Sequence, residues 1–237
     1  MDSRPVDDAQ RAYARAAGLF YLLVLAFDIA GLIITSSIEG GGGFADAARH
    51  VGASEGLYRL GLSLSLLGSL STIPLGLCLY VTVKPVDGNL ALMALLFRSA
   101  EAAVGAIGIV GAFGLLQLYL AANHPGPLDS GQLRALMALR PLGMSTEVAA
   151  IFFSTGSTIF FYLFLKSRYI PRILSGWGLF ASVVYLAAWF TELAVPGTPA
   201  LVNVLASLPI LIAEVSTGLW LLIAGIRFER LGGTALG

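Results

Sequence analysis

Six stretches of the chain stay apolar for long enough to cross a bilayer as helix, which takes about 20 residues. They run Ala16–Ser36, Leu57–Val83, Leu90–Ala122, Thr146–Leu165, Ile173–Ala194 and Leu201–Arg227. Polar and helix-breaking residues gather between them, as in Lys84–Asn89 and Lys166–Arg172. There proline and glycine stop one helix and let the next begin. The third stretch is longer than a bilayer requires, so it must tilt or project. The first is too long for a signal-peptide core and no A-x-A pattern follows it, so it is expected to stay as a span.

Two connections carry amphipathic patterns of their own. After the flexible run Gly40–Gly43, the segment FADAARHVGASEGLYRL reads as a short helix with one apolar face. Before the fourth span, Asp129 or Ser130 can cap a second short helix that Pro141 ends, with Leu133, Leu136, Met137 and Arg140 on one face. Both suit the interface plane. The expected fold is therefore all-α: a polytopic membrane bundle of six transmembrane helices and two short interfacial helices. Residues 1–237 form one domain, with 1–15 as an N-terminal segment and 228–237 as a tail. An inverted internal repeat finds little support beyond the similar depths of Glu101 and Glu214.

Composition agrees with the pattern. The chain is 57% hydrophobic and 12% charged, with a mean hydropathy of +0.84. That is about half the charge an average soluble domain carries. Fourteen basic residues balance fourteen acidic ones, so bulk charge gives no case for a nucleic-acid partner. With the N-terminus inside, nine of the Arg and Lys residues flank the inner ends of the spans (Arg4, Arg11, Arg15, Lys84, Lys166, Arg168, Arg172, Arg227, Arg230). Four flank the outer ends: Arg49, Arg59, Arg134 and Arg140. This bias places both termini in the cytoplasm of a multi-pass membrane protein. The single cysteine, Cys78, excludes a disulfide or CxxC pair and is expected to be a packing residue. Only His50 and His124 could offer imidazole, and both fall in loops; no metal and no cofactor is expected. The chain has no HExxH, GxSxG, Walker A or dinucleotide-binding run.

The candidate chemistry lies in charges placed within the spans. Asp28 is in the first, Arg98 and Glu101 in the third, and Glu214 in the sixth. Arg59, Glu147 and Glu192 stand near the outer ends of the second, fourth and fifth. Each charge costs about 2.5 to 3.5 kcal/mol at the bilayer centre, so such residues turn inward and pair. At 1.5 Å per residue, Arg98 lies about 12 Å from the inner face, Glu101 about 16 Å, and Glu214 about 20 Å from the outer face. Arg98 is expected to bridge Glu101 and Glu214, with Asp28 and Arg59 as a second pair. Helical stripes carry the same trend: Tyr21, Asp28 and Thr35; Glu147, Ser154 and Thr158; Gly178, Ser182, Tyr185, Trp189 and Glu192. Ser63, Ser65, Ser69, Ser71 and Thr72 enrich the second span in hydroxyls, and Gly105, Gly108, Gly111 and Gly114 allow close packing on the third or a homodimer contact. Trp177, Trp189 and Trp220 suit interface anchoring or core packing.

Three roles stay open for this set: a salt-bridge lattice, a cavity for a ligand, or catalysis. Acids outnumber bases, so those left over must be protonated, hydrated, or bound to a cation. The leading expectation is a membrane protein that binds a lipid, an amphiphile or a cation. Arg98, Glu101 and Glu214 would form the cavity floor, and Asp28, Arg59, Glu147 and Glu192 its upper wall. Proton- or ion-coupled transport and intramembrane lipid modification are the alternatives.

Three runs carry a resemblance: SEGLYRLGL, VKPVDGNLALMALLFRSAEA and LKSRYIPRILSGWG. Together they resemble the DUF4386 family of bacterial membrane proteins over nearly the whole chain. Glu55, Arg59, Lys84, Pro85, Arg98, Glu101, Pro171 and Arg172 match the family pattern, while the Gly40–Gly43 run is particular to this chain. The resemblance implies the six-span fold and no activity.

Overall fold

A computed structural model describes residues 8–123, 131–132, 145–195 and 197–226. Seven helices occur among them: α1 (Asp8–Glu39), α2 (Phe44–Ala53), α3 (Glu55–Val83), α4 (Gly88–Ala122), α5 (Ser145–Ser167), α6 (Arg172–Ala194) and α7 (Ala200–Ile223). All but α2 are long and apolar enough to cross a membrane. Each of the six also exposes large apolar side chains, such as Leu32, Leu70, Val110, Tyr162, Phe180 and Ile212. Water tolerates no such surface on six helices at once, whereas hydrocarbon does. The molecule is a multi-pass membrane protein.

The helix ends follow local chemistry. The first helix begins at Asp8, earlier than the apolar stretch at Ala16, because Ala, Gln and Arg propagate a helix whether or not lipid surrounds it. Gly40 closes it with φ +67, donating its N–H to the Ser36 carbonyl. The last helix ends at Ile223, short of Arg227. There Gly225, at φ +67, turns its N–H back to Leu221. The Asp87 carboxylate accepts the Leu90 N–H and caps α4. The first interfacial helix is observed as α2. The second, expected at 129–140, falls outside the described residues except for Gly131 and Gln132.

The chain divides into two compact units. Unit 1 takes residues 1–22, 72–101 and 150–237; unit 2 takes 23–71 and 102–149. Four helices, α1, α3, α4 and α5, therefore contribute residues to both. In unit 2, α2 is held by Ala47, Ala48 and Val51, which pack with Ile38, Tyr58, Leu62, Leu116 and Tyr119. The Tyr58 hydroxyl donates to Glu39 (2.5 Å) and the Asn123 amide to the Ala48 carbonyl (2.6 Å). On its outer surface Asp46 pairs with Arg49. Its carboxyl is held below the usual range, first by that hydrogen bond and then by the guanidinium charge.

In unit 1, α6 and α7 follow each other through a short turn and pack antiparallel. Phe161, Ala181, Ile210 and Ala213 form their shared core. The Trp177 indole N–H donates across to the Pro209 carbonyl (3.1 Å). The first turns of α1 close against α7 at Gly18 and Gly218. A Cβ on Gly18 would collide with the backbone of Gly218 and Leu222, and one on Gly218 would meet Tyr21. Small residues let the two backbones touch, as lipid-embedded helices require. Gly18→Ala is expected to lower stability by about 1–3 kcal/mol through overpacking. Gly176→Ala, where nothing lies within 4 Å, should leave it unchanged or improved. Thermal unfolding of the two variants in one detergent compares them.

Candidate functional site

The central residue is Arg98. It is 2% exposed, although it sits on a membrane-spanning helix. Glycine makes room for it on two sides. A Cβ on Gly76 of α3 would stand 3.2 Å from the Arg98 Cβ, and one on Gly156 of α5 would stand 3.3 Å from its Cδ. The aliphatic stem therefore lies in a slot between two bare stretches of helix backbone. At its far end the guanidinium stacks on the Phe153 ring, 4.9 Å from the centroid, and Nη1 forms an ion pair with Glu101 Oε2 at 3.0 Å. Cation–π contact and the opposite charge together offset part of the cost of removing the guanidinium from water.

Around this pair stand further buried groups. Glu214 is 6% exposed and Tyr21 2%. The Tyr21 hydroxyl lies within electrostatic reach of Glu214, Arg98 and Glu101. Aromatic contacts then lead away from the arginine: Phe153 meets Tyr185 edge-on at 5.7 Å, and Tyr185 meets Trp189 edge-on at 5.8 Å. The Tyr185 hydroxyl also hydrogen-bonds the Trp189 indole N–H and Ser207. The stripe Gly178, Ser182, Tyr185, Trp189 and Glu192 thus faces an α7 stripe of Asn203, Ser207, Ile210, Glu214 and Thr217. The second stripe has the same i, i+4, i+7 spacing, and from sequence only Glu214 stood out.

Hydroxyls divide into two classes. Ser154, Ser175, Ser182 and Thr82 are buried but donate to carbonyls three or four residues back in their own helices. So do Ser63, Ser65 and Ser71, which makes the hydroxyl-rich second span self-sufficient there. Ser157 Oγ and Thr217 Oγ1 are buried with no partner, as are Asn203 Oδ1 and Glu192 Oε2 in unit 1 and Glu147 Oε2 in unit 2. Among the described residues, the polar and charged side chains buried as a whole all belong to unit 1.

The remaining sequence candidates lie otherwise. Asp28, Arg59 and Glu147 belong to unit 2, and Asp28 is exposed. The pairing of Asp28 with Arg59 does not match their positions. Asp28 folds its carboxylate onto the bare backbone of Gly68. Arg59 Nε donates to Glu55, one turn back on its own helix, at 2.7 Å. Gly68 and Arg59 are about 13 Å apart along α3, and the nearer acid wins. Close glycine contacts between α1 and α3, Gly31 on Ser65 and Gly61 on Thr35, fill the seam that Asp28 would otherwise enter. Gly105 likewise meets Ser69, while Gly114 stands open. Among the described residues no three His, Cys, Asp or Glu side chains gather as metal ligands.

Removing one partner of a buried ion pair strands the other, at about 3–5 kcal/mol. Arg98→Met is expected to cost that much, and Glu101→Gln in the Arg98→Met background should recover part of it. Unfolding of both variants and of Glu101→Gln alone gives the coupling energy; strict additivity would dissolve the pair as a stabilising unit.

Compared with curated proteins and with solved structures, the chain matches none. A family model, "Domain of unknown function (DUF4386)", matches residues 16–225, which takes in the ends of all six spans but the first turns of α1. That match carries the Arg98–Glu101 pair, its glycine slot and the facing stripes of α6 and α7, and the chain belongs to the DUF4386 family.

Proposed function

We propose that this integral membrane protein binds a small cationic or amphiphilic ligand within the polar interior of unit 1. The observation that carries the reading is the mismatch between buried polar groups and their protein partners. Ser157 lies one turn beyond Phe153, on which Arg98 stacks, and Thr217 lies one turn beyond Glu214. Both hydroxyls are buried without a partner. A buried hydroxyl left so costs about 1–3 kcal/mol, and a native structure does not keep such costs without use. The nearby charges, Glu101 and Glu214 with Arg98, sum to a net negative value when ionised, which suits a cation or an ammonium group. Glu192 adds a third acid to the same unit. Asp28, Arg59 and Glu147 belong to unit 2 and are not part of this proposal.

A second reading is favoured by Tyr21. Its buried hydroxyl lies within electrostatic reach of two carboxylates and a guanidinium, and coupled transport through the same acids is the competing function.

Native mass spectrometry of the protein extracted with its lipids tests binding. Wild type is expected to retain a small molecule or a specific lipid, and Glu101→Gln with Glu214→Gln to lose it by about tenfold, or 1.4 kcal/mol. Wild-type protein free of any adduct would sink the reading. Proton uptake by proteoliposomes under a pH gradient, abolished in the same variants, would favour transport over binding alone.

A further inference from the structure

The helices of unit 1 touch one another in cyclic order. Gln10 of α1 donates to the Thr82 carbonyl of α3 at 2.6 Å. Gly76 of α3 lies against Arg98 of α4, Gly156 of α5 against Phe97 of α4, and Gly178 of α6 against Phe161 of α5. Trp177 of α6 bonds Pro209 of α7, and Gly18 of α1 closes the circuit on Leu222 of α7. All of these residues belong to unit 1. Gln10, Gly18 and Gly178 stand in the first half of their helices, and Thr82, Leu222 and Phe161 in the last two turns of theirs. Neighbours therefore run antiparallel. The starts of α1, α4 and α6 and the ends of α3, α5 and α7 meet at one end of the unit.

That end carries cations without counter-charges. Arg11, Arg15, Lys84, Lys166 and Arg172 are exposed there, and none forms an ion pair among the described residues. The described acids at this end are Asp8, in the first turn of α1, and Asp87, whose carboxylate accepts the Leu90 N–H. Unit 2 treats its arginines otherwise, since Arg49 holds Asp46 and Arg59 holds Glu55. Like charges round one rim repel each other, a cost that an anionic surface removes. Val83, Ile170 and Ile226 are buried at the same end. The cations thus stand on a packed surface and line no entrance to the interior.

Aromatic residues set the depth of this rim. Tyr13 lies five residues into α1 and Trp177 five into α6, while Tyr162 lies five before the end of α5 and Tyr80 three before the end of α3. At 1.5 Å per residue all four are within about 8 Å of the helix ends. Tyr13, Tyr162 and Trp177 are exposed, and the Tyr80 ring carries the Lys84 ammonium 5.5 Å from its centroid. Exposed tyrosine and tryptophan on spanning helices settle at the head-group level. Lys84 and Lys166 each follow one of these tyrosines by four residues, one turn nearer water, which is the level of lipid phosphates.

We infer that this end of unit 1 is a docking surface for anionic phospholipid. Head-group phosphates are held by Arg11, Arg15, Lys84, Lys166 and Arg172, and the glycerol region rests on the aromatic residues. The aromatic belt assigns the surface to lipid, because an acidic protein would engage the charges without it. The surface is separate from the interior site and has the opposite charge preference.

The test reconstitutes the full chain in phosphatidylcholine vesicles with spin-labelled phosphatidylglycerol or spin-labelled phosphatidylcholine as the probe. Electron spin resonance reads the fraction of probe immobilised on the protein. Wild type is expected to prefer the anionic probe about fivefold, and to lose the preference in about 1 M salt. Replacing Arg11, Lys84, Lys166 and Arg172 together by glutamine should bring the preference below about twofold. Arg11→Gln with Lys84→Gln, a milder change, should lower it in the same direction. Arg49→Gln with Arg59→Gln should leave it intact, because those arginines are already neutralised. Equal immobilisation of the two probes by wild type overturns the surface. So does equal loss in both sets of variants, which would assign the effect to bulk charge. Displacement of the anionic probe by equimolar soluble glycerol phosphate would make this end a small-anion site and overturn lipid docking.

Discussion

A guanidinium inside a membrane-spanning helix has to be desolvated, and the fold around Arg98 is organised by what that requires. The long side chain needs a path, and only glycine on two neighbouring helices leaves one, at Gly76 and Gly156. The charge needs an opposite charge in fixed geometry, which Glu101 supplies one turn along the same helix at 3.0 Å. It also needs a surface that is polarisable but not wet, which the Phe153 ring provides. None of the three is sufficient alone, because a single ion pair does not repay several kcal/mol of desolvation. Placing them together fixes how α3, α4 and α5 approach one another in unit 1.

The two units solve the problem of polar groups in opposite ways. Unit 2 keeps Asp28 and the Arg49 and Arg59 ion pairs at its surface. Arg59 and Arg49 pair with acids one turn away on their own helices, Tyr58 ties α3 to Glu39 at the end of α1, and Asn123 ties α2 down through the Ala48 carbonyl. Its interior is apolar, closed by Val51, Leu62, Leu116 and two tyrosines. Unit 1 brings its polar groups inside instead. Where they are serines and threonines near a free carbonyl of their own helix, the helix satisfies them. Where they are not, atoms remain whose needs the chain does not meet. Among the described residues Glu147 Oε2 is such an atom in unit 2, while Ser157, Glu192, Asn203 and Thr217 supply them in unit 1.

The apolar runs determined five of the six spans to within four residues and the start of the first to within eight, because twenty contiguous apolar residues have no other stable form in a bilayer. The helical period alone made Arg98 and Glu101 neighbours, and it drew the α6 stripe on which Trp189 and Glu192 stand. Sequence also placed α2, through the apolar face of Phe44–Ala53. What it did not contain was the offset between helices. Asp28 and Arg59 looked like a pair because both are charged and similarly deep, yet glycine contacts set the α1–α3 seam so that Asp28 meets Gly68. Gly76 and Gly156 gave no sign that they flank an arginine, since a glycine's role is defined by the side chain that fills its space. Asn203 carries no motif at all. Antiparallel packing alone put it level with Trp189, because register between helices is a property of the packed seam and not of either helix by itself.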